Sequence, residues 1–341
     1  MNGEQPGVLE GAIPPGENTV LFGHDAAQSF LANAYRSGRM HHAILIEGPE
    51  GIGKATLAYR FARHMLAHPD PVLAPDTIDN PDPDDPVSRQ MASGATHNLL
   101  HMARPVDEKT GKMKSVITVD EVRKAGRFFG QTSGTGNWRV AIIDPADDLN
   151  RNAANALLKI LEEPPKRSLF LVLSHTPGRL LPTIRSRCLS LRLQPLSAPD
   201  LDLALGHLGA RPGEADSIIR LSEGSVSRAL LLRNYGGAEI AEAFVNIIER
   251  GSLANREPIH KLAETLSARD RDVAYQFFTG LVIDRIQAMA RDAGAAGDLN
   301  EADRLARLSV ELAEHFATAA AYNLDRKQTV LHVFTLFFSL G

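Results

Sequence analysis

The chain has 341 residues, 43% of them hydrophobic and 23% charged, which is enough to fill two or three cores. A net charge of −4 excludes a protein that coats nucleic acid by itself, and no apolar run of about 18 residues offers a membrane span. The single cysteine, Cys188, excludes intrachain disulfides and fits a reducing cytoplasm.

Residues 1–20 lack the positive charge and apolar core of a signal peptide and read as a flexible lead-in. Ala43-Ile44-Leu45-Ile46 reads as a buried strand, followed by a Gly-rich turn and a helix from Lys54 to His68. The Pro/Asp-rich stretch Pro69–Pro86 has too few apolar residues to pack, so 69–115 is expected to be a partly mobile insertion. Val116–Val119 reads as a second strand and Asp120 as the cap of a helix over Glu121–Phe129. TSGTGN at 132–137 turns the chain into a strand over Arg139–Ile143. Leu149, Ala153, Ala156, Leu157, Ile160 and Leu161 form a helical stripe that stops at Pro164-Pro165, and Ser168–Leu173 is another buried strand. Strands alternating with helices predict an α/β core over 21–194, with a parallel sheet and helices on both faces.

The texture changes near Pro195. Ser197-Ala198-Pro199-Asp200 reads as a helix entry, and short helices over 195–237 predict a small helical lid domain. From 238 to 341 only helix-period segments follow, including Ala241–Arg250, Val273–Met289, Ala302–Phe316 and Thr329–Leu340. These predict an all-helical oligomerisation domain.

Gly48-Pro49-Glu50-Gly51-Ile52-Gly53-Lys54-Ala55 follows a strand and opens a helix, the setting a phosphate-binding loop needs. Gly48, Gly51 and Gly53 let backbone N–H groups converge on phosphate oxygens, and Lys54 adds a full charge to the helix terminus. Ala55 stands where Ser or Thr normally ligates Mg²⁺, and Thr56, one residue on, is rotated by about 100°. Val140–Ile143 ends in Asp144, a carboxylate suited to a Mg²⁺-bound water, but the next residue is Pro145, which has no base to offer. The expected outcome is weak ATP binding at Gly48, Gly51, Gly53, Lys54, Ala55, Thr56 and Asp144, without efficient hydrolysis. Asp147 and Asp148 read as helix caps.

IDPADDLNRNAANALLKILEEPP, then SLFLVLSHTPGRLLPTIRSRC, resembles the segment shared by bacterial clamp-loader subunits of the AAA+ class. Leu21-Phe22-Gly23-His24 resembles the box beside the adenine, and His41-His42-Ala43 through Lys54 resembles the family's strand and phosphate loop. The resemblance implies a subunit of the DNA polymerase III clamp loader, which places the sliding clamp on primed DNA. It also implies an accessory part of a DNA-directed DNA polymerase (a nucleotidyltransferase), with no independent ATPase chemistry expected. Lacking the metal-ligating hydroxyl and, at Pro145, the Glu with which AAA+ ATPases polarise the attacking water favours the delta-prime type over the ATP-hydrolysing gamma/tau type. Implied partners are gamma/tau and delta subunits in a hetero-oligomeric ring, the sliding clamp, and primed DNA through the complex. The helical domain at 238–341 would be the ring's collar.

By the same resemblance Ser186-Arg187-Cys188 carries an arginine finger, with Arg187 reaching a neighbouring subunit's nucleotide. Sensor 1 maps to Ser174 or His175, and Arg228 in Gly224–Leu230 to the sensor 2 position facing this chain's own nucleotide. A local ion pair for Arg187, or a plain helix surface for Arg228, stands as the alternative. Many relatives carry a four-cysteine zinc module in the insertion. No cysteine lies between Lys54 and Asp144 here, so no zinc is expected, and His97 and His101 at i, i+4 read as a solvated or core face. Two other functions compete: an active gamma/tau-like ATPase, which needs the hydroxyl and Glu missing at Ala55 and Pro145, and a small-molecule P-loop kinase, which would not trail a long helical domain.

Overall fold

The computed structural model describes residues 8–82, 84–94, 96–107, 111, 113–130, 137–210, 216–250, 256–269 and 271–339. The chain forms two compact units, Met1–Ser227 and Arg228–Gly341.

The first unit is built on a five-stranded, all-parallel sheet in the order β2-β3-β4-β1-β5. Its strands are β1 (Ala43–Glu47), β2 (Leu99–Met102), β3 (Arg139–Ile143), β4 (Ser168–Ser174) and β5 (Leu189–Arg192). Around them lie α1 (Asp25–Arg36), α2 (Lys54–Ala67), α3 (Pro86–Ala92), α4 (Val119–Gly130), α5 (Arg151–Glu162), the one-turn α6 (Pro182–Arg185), α7 (Ala198–His207) and α8 (Asp216–Ser222). Alternate residues of each central strand enter different cores. Ile44, Ile46, Val140, Ile142, Leu169 and Leu171 join one with α1 and α2. Ala43, Leu45, Ala141, Ile143, Phe170 and Val172 join the other with α4 and α5. Burial on both faces makes β1, β3 and β4 uninterrupted apolar runs.

Two sequence expectations need correction. Val116–Val119 is not a strand: Ile117 makes one isolated bridge to Leu149, and α4 already begins at Val119. The additional strand is β2, inside the 69–115 insertion and beyond its Pro/Asp-rich stretch, paired with β3 from Leu99↔Val140 to Met102↔Ile143. As an edge strand with one polar residue it lacks an apolar run. Asp120 lies within the first turn of α4, bonded to Arg123, instead of capping the helix. TSGTGN lies outside the described residues apart from Asn137.

Two buried guanidinium groups on α2 tie down a stretch too polar to pack by itself. Arg60, 4% exposed, donates to the carbonyls of Thr19, Ile78 and Asp79 and to Asn80 Oδ1, and Arg63 donates to the Gly16 carbonyl. A buried charge is tolerated when hydrogen bonds replace its water.

The boundary between units falls inside α9 (Val226–Asn234). The second unit continues with α10 (Gly237–Arg250), α11 (Glu257–Ser267), α12 (Asp272–Ala295), α13 (Leu299–Tyr322) and α14 (Arg326–Ser339). Phe244, Phe278 and Phe334 meet in its core. Helix α11, opened by Pro258, falls within the helix-period region expected after 238, and buries Ile259, Leu262, Ala263 and Leu266 at helical spacing. Among the described residues no helix is long and apolar enough to cross a membrane.

Candidate functional site

The loop Gly48–Gly53 joins β1 to α2, with Gly51 at φ 75° and Gly53 at φ 102° in the region that side chains resist. A Cβ on Gly51 would collide with Ser225 and Ser227. Ser225 and Val226 hold the loop: Ser225 Oγ donates to the Glu50 carbonyl at 2.8 Å, and the Val226 N–H donates to the Gly51 carbonyl at 2.9 Å. On the other side His24 Nε2 lies 2.7 Å from the Ile52 carbonyl oxygen, which places the Leu21–His24 box against the loop.

Lys54 is 4% exposed, and its ammonium donates to the Gly48 carbonyl at 2.7 Å and to the Pro49 carbonyl. Burial lowers its pKa to about 8, against the opposing pull of Asp144, Glu50 and Asp147. Ala55 packs against the core, and neither it nor Pro145 brings an oxygen or a base to the loop.

Asp144 directly follows β3, and its carboxylate lies 3.7 Å from His101 Nε2 on β2. His101 also packs edge-on to Tyr59, whose hydroxyl pKa is raised to about 12 by burial and by the charge of Asp144. Because His101 is on a strand, its i, i+4 relation to His97 puts no two imidazoles on a helix face. In the sequence Tyr59 does not stand out, and His101 reads only with His97 as part of a solvated or core face. Pairing of β2 with β3 brings His101 to the carboxylate, and Tyr59 meets His101 from α2.

Asp147 and Asp148 are not caps, and the correction is informative. They occupy a 3-10 turn at Ala146–Asp148, and the cap of α5 is Asn150, whose Oδ1 accepts from the Ala153 N–H. Asp147 instead accepts four hydrogen bonds from the end of β4: Ser174 Oγ at 2.9 Å, the His175 N–H at 2.8 Å, and the Thr176 N–H and hydroxyl at 3.1 and 2.7 Å. Burial alone would raise its pKa, but these donors outweigh it and hold the carboxyl below the usual range. Asp148 pairs with Arg104 at 3.1 Å, while burial keeps its pKa raised.

The two sensor 1 candidates therefore differ. Ser174 is fully buried with its hydroxyl on Asp147. The His175 ring feels Lys54, Glu50, Asp147 and Asp144, and burial followed by the Lys54 charge lowers its pKa. Arg228 begins the second unit and pairs with Asp284 at 3.2 Å.

Arg187 lies between α6 and β5. Register places it at the far end of the sheet from the phosphate loop: Leu189 pairs with Ile44, the second residue of β1, whereas the loop begins after Glu47, opposite Arg192. At about 3.3 Å per residue, Leu189 is already roughly 13 Å short of the Gly48 level along the strand direction, and Arg187 lies in the turn that precedes it. Its NH2 is 2.8 Å from Glu162 Oε1 and its NH1 donates to the Thr183 carbonyl at 3.1 Å, with 36% of the side chain exposed. Burial raises the pKa of neighbouring Cys188 to about 11, leaving an unreactive thiol. Among the described residues no three His, Cys, Asp or Glu side chains are grouped to hold a metal ion.

Residues 23–197 match the family described as DNA polymerase III, delta subunit. The chain is 36% identical over 200 residues to the DNA polymerase III subunit delta' of Pseudomonas aeruginosa, covering 58% of this chain and 57% of that protein. To subunit delta' of Escherichia coli it is 29% identical over 295 residues, covering 84% and 80%. A solved DNA polymerase III gamma-subunit-related protein from Thermotoga maritima aligns over 93% of this chain and 99% of its own, with a TM-score of 0.46 and 16% identity.

Proposed function

From the family match over half its length the chain belongs to the DNA polymerase III delta-prime family, and we propose that it acts as a clamp-loader subunit whose chemical part is played in a neighbour's ATP site. In this reading its own loop binds ATP weakly and does not hydrolyse it. Lys54 is engaged by the loop's carbonyls, Ser225 and Val226 bond Glu50 and Gly51, and Ala55 and Pro145 replace the metal-ligating hydroxyl and the catalytic carboxylate. Of the sensor 1 candidates, His175 is the one whose ring remains in the field of Lys54.

The observation that carries the reading is the position of Arg187. Arg187 precedes β5, whose first residue is already roughly 13 Å short of this chain's own phosphate loop, so it is set away from that loop, yet its side chain is partly exposed and flanks the edge strand β5. There it can meet a γ-phosphate held by another subunit and stabilise the charge that develops during transfer. The planar fork of N–H donors suits phosphate oxygens, and the charge persists at any physiological pH. The partners in this scheme are gamma/tau and delta subunits of a ring, the sliding clamp and primed DNA, in the cytoplasm. The second unit acts as the collar: Leu299, Val310, Tyr322 and Leu324 along and beside α13 are exposed apolar surface of the kind that subunit contacts cover.

The test is a reconstituted ring with Arg187→Ala. DNA-stimulated ATPase and clamp loading fall while ring assembly is unchanged, and Arg187→Lys rescues poorly. Wild-type rates with Arg187→Ala would refute the assignment.

A further inference from the structure

Glu162 has no part in the reading above, yet it holds the residue on which that reading depends. It is the last residue of α5, followed by Glu163, so two carboxylates stand at the negative end of a helix dipole with only Lys159 as a cation in the last turn. Arg187, 25 positions along the chain, supplies the missing charge at 2.8 Å. Both terminal nitrogens of the guanidinium are thereby engaged within this chain, one by Glu162 and the other by the Thr183 carbonyl.

A carboxylate and a phosphate present the same pair of oxygen acceptors to the same fork. We propose that Glu162 is a positioning residue that latches Arg187, so that a neighbour's phosphate gains the fork only by displacing a resident carboxylate. The proposal rests on Arg187 acting as a finger in trans. With Arg187 latched, the fork is oriented but unavailable, and a neighbouring site keeps a low basal rate. When the ring closes on its clamp and DNA, the multiply charged phosphate competes better than a single carboxylate and the pair exchanges. The pair is partly exposed, 36% on Arg187 and 48% on Glu162, so the latch is weak and easily reversed. An ion pair of this exposure shifts an equilibrium by about 1.4- to 5-fold. That sets the size of the expected effect.

Glu162→Gln keeps the shape and removes the charge, and Glu162 is exposed enough that folding does not depend on it. The experiment compares wild type, Glu162→Gln, Arg187→Ala and the double variant in reconstituted rings, measuring ATPase without and with primed DNA at two salt concentrations. Glu162→Gln raises the basal kcat by about 1.4- to 5-fold with little change in KM, and reduces the stimulation by DNA. The rise shrinks at high salt, because a half-exposed pair is screened, and it vanishes in the double variant. An unchanged or lower basal rate in Glu162→Gln, alongside a clear loss in Arg187→Ala, overturns the latch while leaving the finger intact. A rise that persists in the double variant likewise overturns it. Wild-type rates in Arg187→Ala would remove the finger and the latch together.

Discussion

Replacing Asp147 by alanine removes the acceptor that joins the end of β3 to the end of β4. Four donors lose their partner, but they do not count equally. The Thr176 bonds are exposed and water replaces them, whereas Ser174 is fully buried and the His175 N–H is partly so. Two charge-assisted bonds at about 1.5 kcal/mol each give a loss of about 3 kcal/mol. The only tryptophan, Trp138, packs 5.7 Å from Tyr35 in the same unit just before β3, so its fluorescence reports unfolding of the sheet. In urea the midpoint of that transition should drop by roughly 1 M or more at neutral pH. The pH dependence gives a second check. A carboxyl whose folded pKa is depressed contributes stability that is present above its unfolded value, about 3.9, and is lost as pH falls through the folded value. The gap between wild type and Asp147→Ala should therefore narrow as pH falls below about 4. An unchanged midpoint at neutral pH, or a gap that stays constant into acid, would refute the reasoning.

The purified chain alone should hydrolyse ATP no faster than background; a turnover above roughly 1 s⁻¹ that Lys54→Ala abolished would make it an active ATPase of the gamma/tau kind. Removing residues 238–341 should leave a soluble α/β core that no longer co-elutes with partner subunits on gel filtration, and unchanged co-elution would rule out the collar role.

What the sequence disclosed follows from how each element meets solvent. Strands β1, β3 and β4 are covered on both faces, so each is a run of apolar residues that any window detects. Strand β2 is at an edge, carries His101, and follows a stretch whose burial depends on arginines, so hydropathy alone hides it. The phosphate loop and Asp144 are legible because their chemistry is local: glycines, a lysine and a strand-ending carboxylate. The partners of those residues are not local. His101 reaches Asp144 by strand pairing, Asp147 bonds residues 27 to 29 positions on, and Glu162 meets Arg187 across α6. Helix periodicity placed Asp147 and Asp148 near a helix start, but it could not show that Asn150 takes the cap and frees Asp147 for β4.

Arg60 and Arg63 grip the main chain, not side chains, apart from Asn80. A donor that recognises carbonyl oxygens is indifferent to what hangs from the residues that carry them. Side chains such as those of Thr19 and Asp79 could thus be exchanged while both segments remain moored to α2. The two arginines have no such latitude, because a lysine offers neither the reach nor the fan of donors to span carbonyls from separate segments. Helix α2 thus moors two separate stretches of chain through contacts made almost entirely to their main chain.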